Sequence, residues 1–511
     1  MKENNNPYMS NMKELYIGCM LLGISAMSWA QTYDVIERRN SWNAGTNVTG
    51  IRTDSVSVSY AELYGQNHHG DFRNSSEAGK LWSAGAVAKS ITHMKNYSLV
   101  GAFSFDHTSG KDMSGSMFIH PGFYPVDILE FTPGRKDLQT YAFMGGIAAD
   151  ANANWRVGGT IDFAAANYSK RKDLRHTNYR LDLKVAPSIM YHTGDFAIGL
   201  SYIFSKNSES IKAEEIGTAA TSYYAFLDKG LMYGAYETWS GSGIHLSESG
   251  INGFPIKELS HGVAMQAQWR ELYGDMEYRH SSGSAGEREA IWFEFPTERI
   301  TSHLRYQWKR GGTEHFIRLN LLWSHQTNNE NILGQETSNG ITTTRVYGSN
   351  RIFERNVFAA NPEYEVMSPK GEFTVGVNLS TVKSLSTQMF PYIVSQTLFR
   401  GGAYASGVLH VGAFDVKATA GFSKGNYTEK SRTAETGATE PGEAPYRLAD
   451  YYNLQNEYAT AARATLVLGL RYNFGKGMYA EIEGSYTHGF KLTYIEGASR
   501  WNEALKLGYA F

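Results

Sequence analysis

Apolar and polar residues alternate along most of the chain, in paired segments joined by short connections. A period of two places successive side chains on opposite faces of a β-strand, and two such segments around a short Gly, Asn or Asp connection form a hairpin. One pair carries apolar residues at every second position on both sides of 192–195: Tyr179, Leu181, Leu183, Val185, Phe196, Ile198, Leu200, Tyr202 and Phe204. The same pattern flanks 150–154, 309–313 and 474–477. The sequence therefore predicts an all-β protein built from consecutive antiparallel hairpins.

Two features of these segments favour a membrane barrel over a soluble sandwich, which also alternates. The segments run for about 10–13 residues, which fits membrane-crossing strands of ~9–11 residues better than the ~5–6 of globular proteins. Short connections also alternate with long ones, as periplasmic turns and extracellular loops do in outer-membrane barrels. The short turns are predicted near 92–96, 150–154, 192–195, 270–273, 309–313, 366–371, 411–414 and 474–477. The long connections are predicted near 66–80, 106–138, 167–178, 207–260, 283–300, 324–353, 383–400, 424–462 and 490–502.

Aromatic residues near the short turns are a third feature of this kind. Amphipathic rings prefer the level of the lipid headgroups, so a row of rings at one end of the strands is typical of an aromatic girdle. The predicted girdle consists of Tyr97, Trp155, Tyr191, Phe196, Trp269, Tyr273, Trp308, Phe414, Phe474 and Tyr479. Aromatic residues make up 13% of the chain and charged residues only 19%, a composition that favours strands.

The predicted fold is a transmembrane antiparallel β-barrel of about 16–18 strands over residues 53–511, with short periplasmic turns and long extracellular loops. An even number of strands places both chain ends on the periplasmic side, where the first and last strands pair and close the sheet. The terminal segment EALKLGYAF fits this closure. Leu505 and Leu507 are expected to face lipid, while Lys506 and Gly508 face the lumen.

Residues 1–30 are predicted to be a secretory signal peptide. A basic residue, an apolar stretch and the small-x-small step Ser28-Trp29-Ala30 predict cleavage after Ala30. Two alternatives stay open: a buried or anchoring helix, and a lipoprotein acylated at Cys19, the only cysteine. Cleavage at Ala30 would leave the mature chain without a thiol for a disulfide, a metal site or a nucleophile. Residues 31–52 would then form a periplasmic or lumen-inserted N-terminal segment.

The signal that ends at Ala30-Gln31, the tyrosine-rich hairpins and the terminal Tyr509-Ala510-Phe511 resemble Gram-negative outer-membrane β-barrel proteins. In that class the last strand often ends in Phe, which the barrel-assembly machinery reads. The resemblance therefore implies that Tyr509 and Phe511 are an assembly signal, and that the protein is located in the cell outer membrane. Gly70-Asp71-Phe72-Arg73 and AGAVAKSITHMKNYSLVGAFSFDH (84–107) are similar to an uncharacterised barrel family common in Bacteroidota. That family brings no active-site motif with it.

Charged residues on the polar face of the strands are the candidate functional residues. An ionised side chain at the bilayer midplane costs about 2–4 kcal/mol when it faces lipid, so these groups are expected to line the lumen. They are Arg156, Asp162, Arg180, Asp182, Lys184, Arg305, Arg318, Arg471, Glu481 and Glu483. Their mixed signs predict ion pairs in a hydrated interior without clear selectivity for anions or cations. Two roles stay open: the charges line a transport route, or they only solvate and brace the lumen.

Motifs for catalysis or cofactor binding are not identified in the sequence. The chain shows no H-E-x-x-H metalloprotease motif and no nucleophile elbow, in which a G-x-S-x-G serine sits at a strand-to-helix turn, so it is not expected to be an enzyme. His68 and His69, with Asp71 nearby, are weak candidates for a metal or haem site, because adjacent residues of a strand point to opposite faces. No cofactor is expected. A formal net charge of −2 gives no indication of a nucleic-acid partner.

The predicted function is a passive or ligand-gated pore for small solutes. One form of this prediction is a pore that is accessory to a metal or haem uptake system. The alternative is a non-conducting binding or structural barrel that presents loops near 207–260 and 424–462 to a ligand or partner. A barrel of this size encloses an aqueous channel unless something fills it. Residues 31–52 and 207–260 are the candidates for filling it. The expected partners are outer-membrane lipid, the barrel-assembly machinery and a surface uptake protein.

Overall fold

The computed structural model describes residues 37–214, 225–232, 237–238, 251–287, 290–389, 392–430 and 448–511. The predicted signal peptide and Cys19 lie outside these residues, as do the central parts of the predicted loops 207–260 and 424–462. No helix in the part of the chain that the structure describes is long and apolar enough to cross a membrane.

Eighteen long strands form the wall of a closed antiparallel barrel within the described residues. They are β1 (Val58–His69), β2 (Lys80–His93), β3 (Tyr97–Ser116), β4 (Asp127–Asp150), β5 (Trp155–Lys170), β6 (Arg175–Thr193), β7 (Phe196–Glu214), β10 (Ile251–Trp269), β11 (Leu272–Glu287), β12 (Ala290–Arg310), β13 (Thr313–Ser338), β14 (Ile341–Ser368), β15 (Gly371–Met389), β16 (Tyr392–Val411), β17 (Phe414–Lys430), β18 (Ala462–Gly475), β19 (Met478–Phe490) and β20 (Ser499–Ala510). Two short strands, β8 (Ala225–Asp228) and β9 (Glu237–Thr238), pair with each other, and β8 also pairs with β4.

The wall closes between the first and last strands. Each wall strand pairs with the next along the chain, β7 pairs with β10, and β20 pairs with β1. At the closure Leu63 lies opposite Leu507, and the backbones of Ser59 and Phe511 exchange two hydrogen bonds of 2.8 Å. A closed sheet leaves no unpaired edge. The predicted all-β barrel is confirmed, and each predicted short turn separates two consecutive strands.

The outer face of the wall is apolar. Leu63, Ile482 and Leu507 are 63%, 64% and 53% exposed, which is typical of side chains that face lipid and not a protein core. Large exposed apolar residues recur on the outward parity of the wall strands, a surface that soluble monomers rarely present. The protein is therefore an outer-membrane barrel, as predicted.

Two residues of the predicted aromatic girdle face inward instead. Tyr273 is 1% and Tyr479 is 4% exposed. Their hydroxyls donate hydrogen bonds to Asp275 at 2.8 Å and to Glu62 at 2.9 Å. The girdle prediction is wrong for these two rings, because the parity of a residue within its strand, and not its distance from the turn, decides which face it occupies.

Some predicted long connections are strands that continue past the membrane. The sequence predicts a long connection near 324–353, but β13 and β14 stay paired through these residues and turn at Asn339-Gly340. Both turn residues have positive φ, 53° and 77°, as a two-residue type I′ hairpin requires. Most of 283–300 and 383–400 also lies within paired strands. These predictions are wrong because the polar composition of the hairpin tips does not distinguish a loop from a strand that faces water on both sides.

At three wall positions a proline leaves a two-residue gap in the ladder: Pro187, Pro296 between β12 and β13, and Pro362. Around Pro187, Val185 pairs with Phe204 and Ser188 with Ser201, and the two intervening residues are unpaired while the register is unchanged. A similar two-residue gap surrounds Pro362 between β14 and β15. Proline has no N–H to donate, so it opens the ladder on one side without forming a bulge.

Candidate functional site: the occupied lumen

Residues 37–57, here called the plug, enter the lumen at the short-turn end. They form two 3-10 helices, η1 (Ser41–Ala44) and η2 (Val48–Thr53). Each helix follows an asparagine, Asn40 or Asn47, whose side chain accepts a 3.1 Å hydrogen bond from the backbone N–H two residues on. Short polar side chains at this position satisfy the free N–H groups of a helix start, so the sequence of the plug specifies its own local structure.

The plug is tied to distant parts of the wall. Arg38 donates to Glu365 of β14 at 2.5 Å and to Glu372 of β15 at 2.7 Å. Its neighbour Glu37 pairs with Lys89 of β2 at 3.4 Å. Because β2 and β14 lie far apart around the barrel, these contacts stretch the plug across the opening.

The middle of the plug is fixed by two glutamines of β10. The indole N–H of Trp42 donates to Gln268 at 2.6 Å, and the backbone N–H of Asn47 donates to Gln266 at 2.5 Å. Trp42 is 1% exposed and packs edge-on against Tyr273, with 5.8 Å between the ring centroids. The inward Tyr273 therefore belongs to the seat of the plug.

Inward glycines of the wall make room for the plug. A Cβ at Gly199 of β7 would lie 2.5 Å from the Asn47 side chain, and a Cβ at Gly158 of β5 would lie 2.9 Å from Val48. Both separations are shorter than real Cβ contacts allow. Glycine at these positions is what lets the plug approach the backbone of the wall.

The predicted lumen charges lie on the inner face, and most of them are paired. The pairs are Arg180 with Asp182 and Glu209, Arg318 with Glu363 and Glu365, Arg471 with Glu481, Glu483 with Lys417, and Arg156 with Asp150, at N–O distances of 2.5–3.7 Å. Asp162 faces Lys184 and Arg279 without a hydrogen bond to either of its oxygens. Arg305 is half-buried near Arg318 and Asp275. The charges are thus spread around the wall in small clusters and do not converge on one site.

Several partners of these charges are not among the predicted site residues. Glu365 is 1% exposed and forms ion pairs with both Arg318 and the plug residue Arg38. Glu209 accepts a hydrogen bond from the backbone N–H of Ile119 at 2.9 Å. Lys506, fully buried, pairs with Glu481 at 2.5 Å. The position of a residue within its alternating strand places its side chain in the lumen, but only the register between strands determines which side chains it contacts.

Residues 117–126 and 225–232, here called the cap, fill the long-loop end. Phe118 of the cap packs with Phe254 of the wall in an apolar core, and both rings are at most 2% exposed. The Tyr124 hydroxyl donates to Asn207 at 2.6 Å, and Arg355 donates to the carbonyl of Gly122 at 2.9 Å. Burial raises the pKa of Tyr124 well above its ordinary value, which keeps its hydroxyl a hydrogen-bond donor.

One helix, α1 (Leu448–Thr460), lies beside the cap and is held mainly by polar contacts. Gln396 of β16 donates to the Tyr452 hydroxyl at 2.6 Å and to Asn456 at 3.0 Å. The Glu457 carboxylate accepts the backbone N–H groups of 493–495 at 2.5–2.8 Å. The helix therefore joins the inner wall to the loop before β20.

A cavity of about 240 Å³ lies between the cap, α1 and the inner faces of β13–β16. Its apolar lining includes Leu322, Phe353, Val357, Val382 and Leu398. Its polar and charged lining includes Ser324, Gln326, Arg355, Ser384, Gln396, Tyr452, Gln455, Asn456 and Tyr458, with Asp127 and Asp228 on the side of the cap. A cavity that combines apolar walls with converging polar groups is typical of a small-molecule site. Its volume is just below the ~300–1,000 Å³ of most ligand pockets, which suits a small solute.

A larger concavity of about 880 Å³ lies over the outer surface of β14–β17, beside Val375, Val377 and Phe422. These side chains are 37–53% exposed and belong to the outward parity. The concavity therefore faces lipid and lies apart from the lumen.

His68 and His69 occupy opposite faces of β1. His68 is 9% exposed on the inner face, while His69 stacks on Trp501 with 6.5 Å between the ring centroids. Among the described residues there is no group of three or more His, Cys, Asp or Glu that would hold a metal ion. The two histidines stay weak candidates.

A G-x-S-x-G spacing occurs at 421–425, within the continuous strand β17. Its serine, Ser423, is 2% exposed, faces the lumen and accepts a hydrogen bond from Arg400 at 3.4 Å. A nucleophile elbow needs a sharp strand-to-helix turn and a neighbouring base. The strand supplies no such turn, so the spacing carries no catalytic meaning here.

Residues 48–511 match the model of a family described as "Family of unknown function (DUF6850)". The chain belongs to this family. The match begins in the plug and extends through the whole wall to Phe511. The description of the family names no organism group, so the resemblance to a Bacteroidota barrel family stays a prediction. No curated protein matches the chain.

Solved structures that resemble the chain include two transporters and a receptor. The FrpB iron transporter from Neisseria meningitidis (F5-1 variant, apoprotein form) has a TM-score of 0.43 and 9% identity, over 88% of this chain and 81% of that one. BauA, the ferric preacinetobactin receptor from Acinetobacter baumannii, has a TM-score of 0.41 and 7% identity, over 89% and 80%. YddB, an outer membrane transporter from Escherichia coli, has a TM-score of 0.43 and 7% identity, over 88% and 80%. Likeness at this level carries no information about what this chain binds or transports.

Proposed function

We propose that this chain is a ligand-gated route for a small solute across the outer membrane. The solute would enter the cavity from the long-loop end, and its binding would favour displacement of α1 and then of the plug. A ligand shifts such an equilibrium only by its different affinity for the two states. The observation that carries the proposal is the cavity itself, because its lining is shared between the wall and α1, so that an occupant contacts both.

The passive version of the pore has less support. A wall of this many strands encloses an aqueous lumen only when nothing fills it. Here the plug crosses one end, held by Arg38 and Trp42, while the cap and α1 fill the other. A route through this lumen needs movement of at least one segment at each end.

The alternative function is a non-conducting binding or structural barrel. Ion pairs such as Arg471 with Glu481 and Lys506 with Glu481 brace the inner wall without any solute, which favours this reading. The two functions differ in one measurable property, the passage of a solute through the folded barrel.

Solute uptake by proteoliposomes that contain the folded barrel tests the proposal. Osmotic swelling is measured with arabinose, glycine, succinate and inorganic phosphate as separate probes. We expect a subset of these probes to enter, whereas an open pore admits all solutes below its size limit.

Cavity variants make the test specific. Ser384→Phe places a ring in the cavity and is expected to abolish the uptake, while Phe399→Trp, on the lipid face of β16, is the matched control and is expected to leave it unchanged. Heat-modifiable migration confirms that each variant is folded. Exclusion of all four probes by the unmodified barrel, or equal uptake with the cavity filled, would contradict the proposal.

A further inference from the structure

Two buried arginines of the lumen have no carboxylate of the described residues within ion-pair distance. Arg400 of β16 and Arg463 of β18 face inward on either side of β17 and are 7% and 4% exposed. Arg463 lies directly opposite Ser423 in the sheet, and Arg400 lies opposite Gly425, two residues farther along β17. By contrast, Arg180, Arg318 and Arg471 each make an ion pair with a carboxylate.

The contacts of Arg400 use little of its hydrogen-bonding capacity. A guanidinium has five N–H donors. Among the described residues only one of them finds an acceptor, the Ser423 hydroxyl at 3.4 Å, and the buried Nε has none. No carboxylate of the described residues lies within ion-pair distance of this side chain.

Arg463 has contacts, but they do not neutralise its charge. One terminal nitrogen donates to the backbone carbonyl of Tyr458, and the guanidinium stands over the rings of Phe72 at 4.9 Å and Tyr458 at 4.7 Å. Its Nε is buried without a hydrogen-bond partner. Glu77 attracts it from beyond ion-pair distance, while that carboxylate pairs with Arg500 at 3.7 Å.

Two desolvated like charges without a counter-ion are unfavourable, and a bound anion would offset that cost. The planar guanidinium fork matches the oxygens of a carboxylate or phosphate, to which it donates two parallel hydrogen bonds. The Ser423 hydroxyl, between the two arginines, offers a further donor. The three groups together fit an oxyanion and offer nothing to a cation.

The arginines lie next to the cavity. Leu398 lines the cavity, and Arg400 is the next inward residue of β16, about 7 Å farther toward the short-turn end. Tyr458, which also lines the cavity, supplies the ring and carbonyl contacts of Arg463. An anionic group of a solute bound in the cavity would therefore meet these guanidinium groups on its way down the lumen.

We infer that Arg400, Arg463 and Ser423 form an oxyanion site in the lumen, and that the solute carries a carboxylate or phosphate group. The inference rests on the proposed function for the route of the solute, but the anion site itself can be measured without transport.

Calorimetric titration of the folded barrel in chloride-free buffer tests the site, with inorganic phosphate and succinate as probes. Arg400→Gln is the main variant, because this side chain has a single protein contact and its loss should not impair folding. We expect Arg400→Gln and Arg463→Gln each to weaken binding by about ten- to a hundredfold, the range for hydrogen bonds to charged groups. Arg400→Lys keeps the charge and loses the fork, so it should bind between the parent and Arg400→Gln.

Arg471→Gln is the matched control, since it removes a buried lumen arginine that already has a carboxylate partner. It is expected to bind the probes like the parent. No binding in the parent, or an equal loss in Arg471→Gln, would overturn the inference. Phosphate binding without any solute uptake would support the anion site and contradict the gated route. Arabinose uptake without anion binding would support the gated route and contradict the anion site.

Discussion

The two ends of the lumen are closed by segments that the wall holds in different ways. The plug is held by buried ion pairs and side-chain hydrogen bonds, such as Arg38 with Glu365 and Trp42 with Gln268, in addition to apolar contacts of Val48 and Ile51 with the inner wall. The cap instead packs aromatic side chains into a continuous apolar core with Phe254 of the wall. Apolar burial is non-directional and scales with area, whereas a buried ion pair adds little net stability but is costly to break on one side. We therefore expect the stability of the cap to depend mainly on apolar burial, whereas the position of the plug depends also on buried ion pairs and responds to a change of charge.

Removing an aromatic ring from the cap core should have the largest effect on stability. Phe254→Ala empties a site that is 1% exposed, between Phe118 and Trp292, and is expected to lower the free energy of unfolding by about 3–5 kcal/mol. Urea unfolding of the barrel in lipid measures it. Phe358→Ala, on the lipid face at 49% exposure, is the control with a smaller expected loss. Equal losses of unfolding free energy in the two variants would show that the apolar packing of the cap adds no more stability than a lipid-facing ring.

Removing the acid that the plug shares with the wall should release the plug. Glu365→Gln removes a carboxylate that Arg38 and Arg318 share, while Glu372 and Glu363 still pair with them. The expected cost is therefore below the ~3–5 kcal/mol of leaving a buried charge without any partner. Ser41→Cys, at a buried position of the plug, reports the release. Its reaction with a maleimide is expected to be at least tenfold faster in the Glu365→Gln barrel than in the barrel with Glu365.

Glu481→Gln is the matched control for that release. It breaks a buried pair with Arg471 and Lys506 away from the plug, so the reporter at Ser41 should stay protected. Equal acceleration in both variants would mean that labelling reports general loosening of the barrel.

Filling the space under the plug should have an intermediate effect. Gly199→Val adds atoms that collide with Asn47, and overpacking of this kind costs about 1–3 kcal/mol. The reporter at Ser41 is again expected to react faster, by a smaller factor than in Glu365→Gln. Gly484→Val, where an added Cβ meets nothing within 4 Å, should have no effect on labelling. An unchanged labelling rate in Gly199→Val would contradict the close contact between Asn47 of the plug and β7.

The smallest effect on folded stability is expected at the last residue. Phe511 is 68% exposed and its ring contacts Tyr509, at 5.3 Å between centroids, while its backbone pairs with Ser59. If Phe511 is an assembly signal, Phe511→Asp should lower the amount of barrel in the membrane severalfold, yet change the unfolding free energy of refolded protein by less than about 1 kcal/mol. Tyr494→Asp, exposed near the long-loop end, is the control. Normal membrane levels in Phe511→Asp would contradict an assembly role.

The wall could be predicted from the sequence because its signal is local. Alternation along β6 and β7 fixes both the strands and the face of each residue, and glycine-rich turns fix where they end. The hairpin at Asn339-Gly340 carries a local signal too, in its Asn-Gly pair, although the polar residues around it resemble a loop.

The filling of the lumen could be predicted only in part. Helix α1 has no clear apolar face in its sequence, LADYYNLQNEYAT, because its buried side is largely tyrosine and amide that bond to the wall. Arg471 and Glu481 are directly opposite on paired strands, but Lys417 and Glu483 are separated by β18, and such contacts depend on the register of three strands together. The lack of a partner at Arg400 is likewise visible only in three dimensions.

Single-channel conductance in planar bilayers tests the central claim that the resting lumen is closed at both ends by separable segments. Without solute, the unmodified barrel should be silent. A double variant, Glu365→Gln to free the plug and Glu457→Gln to weaken the hold of α1 on 493–495, should conduct in stable steps. Stable steps from the unmodified barrel, or silence from a folded double variant, would contradict the account.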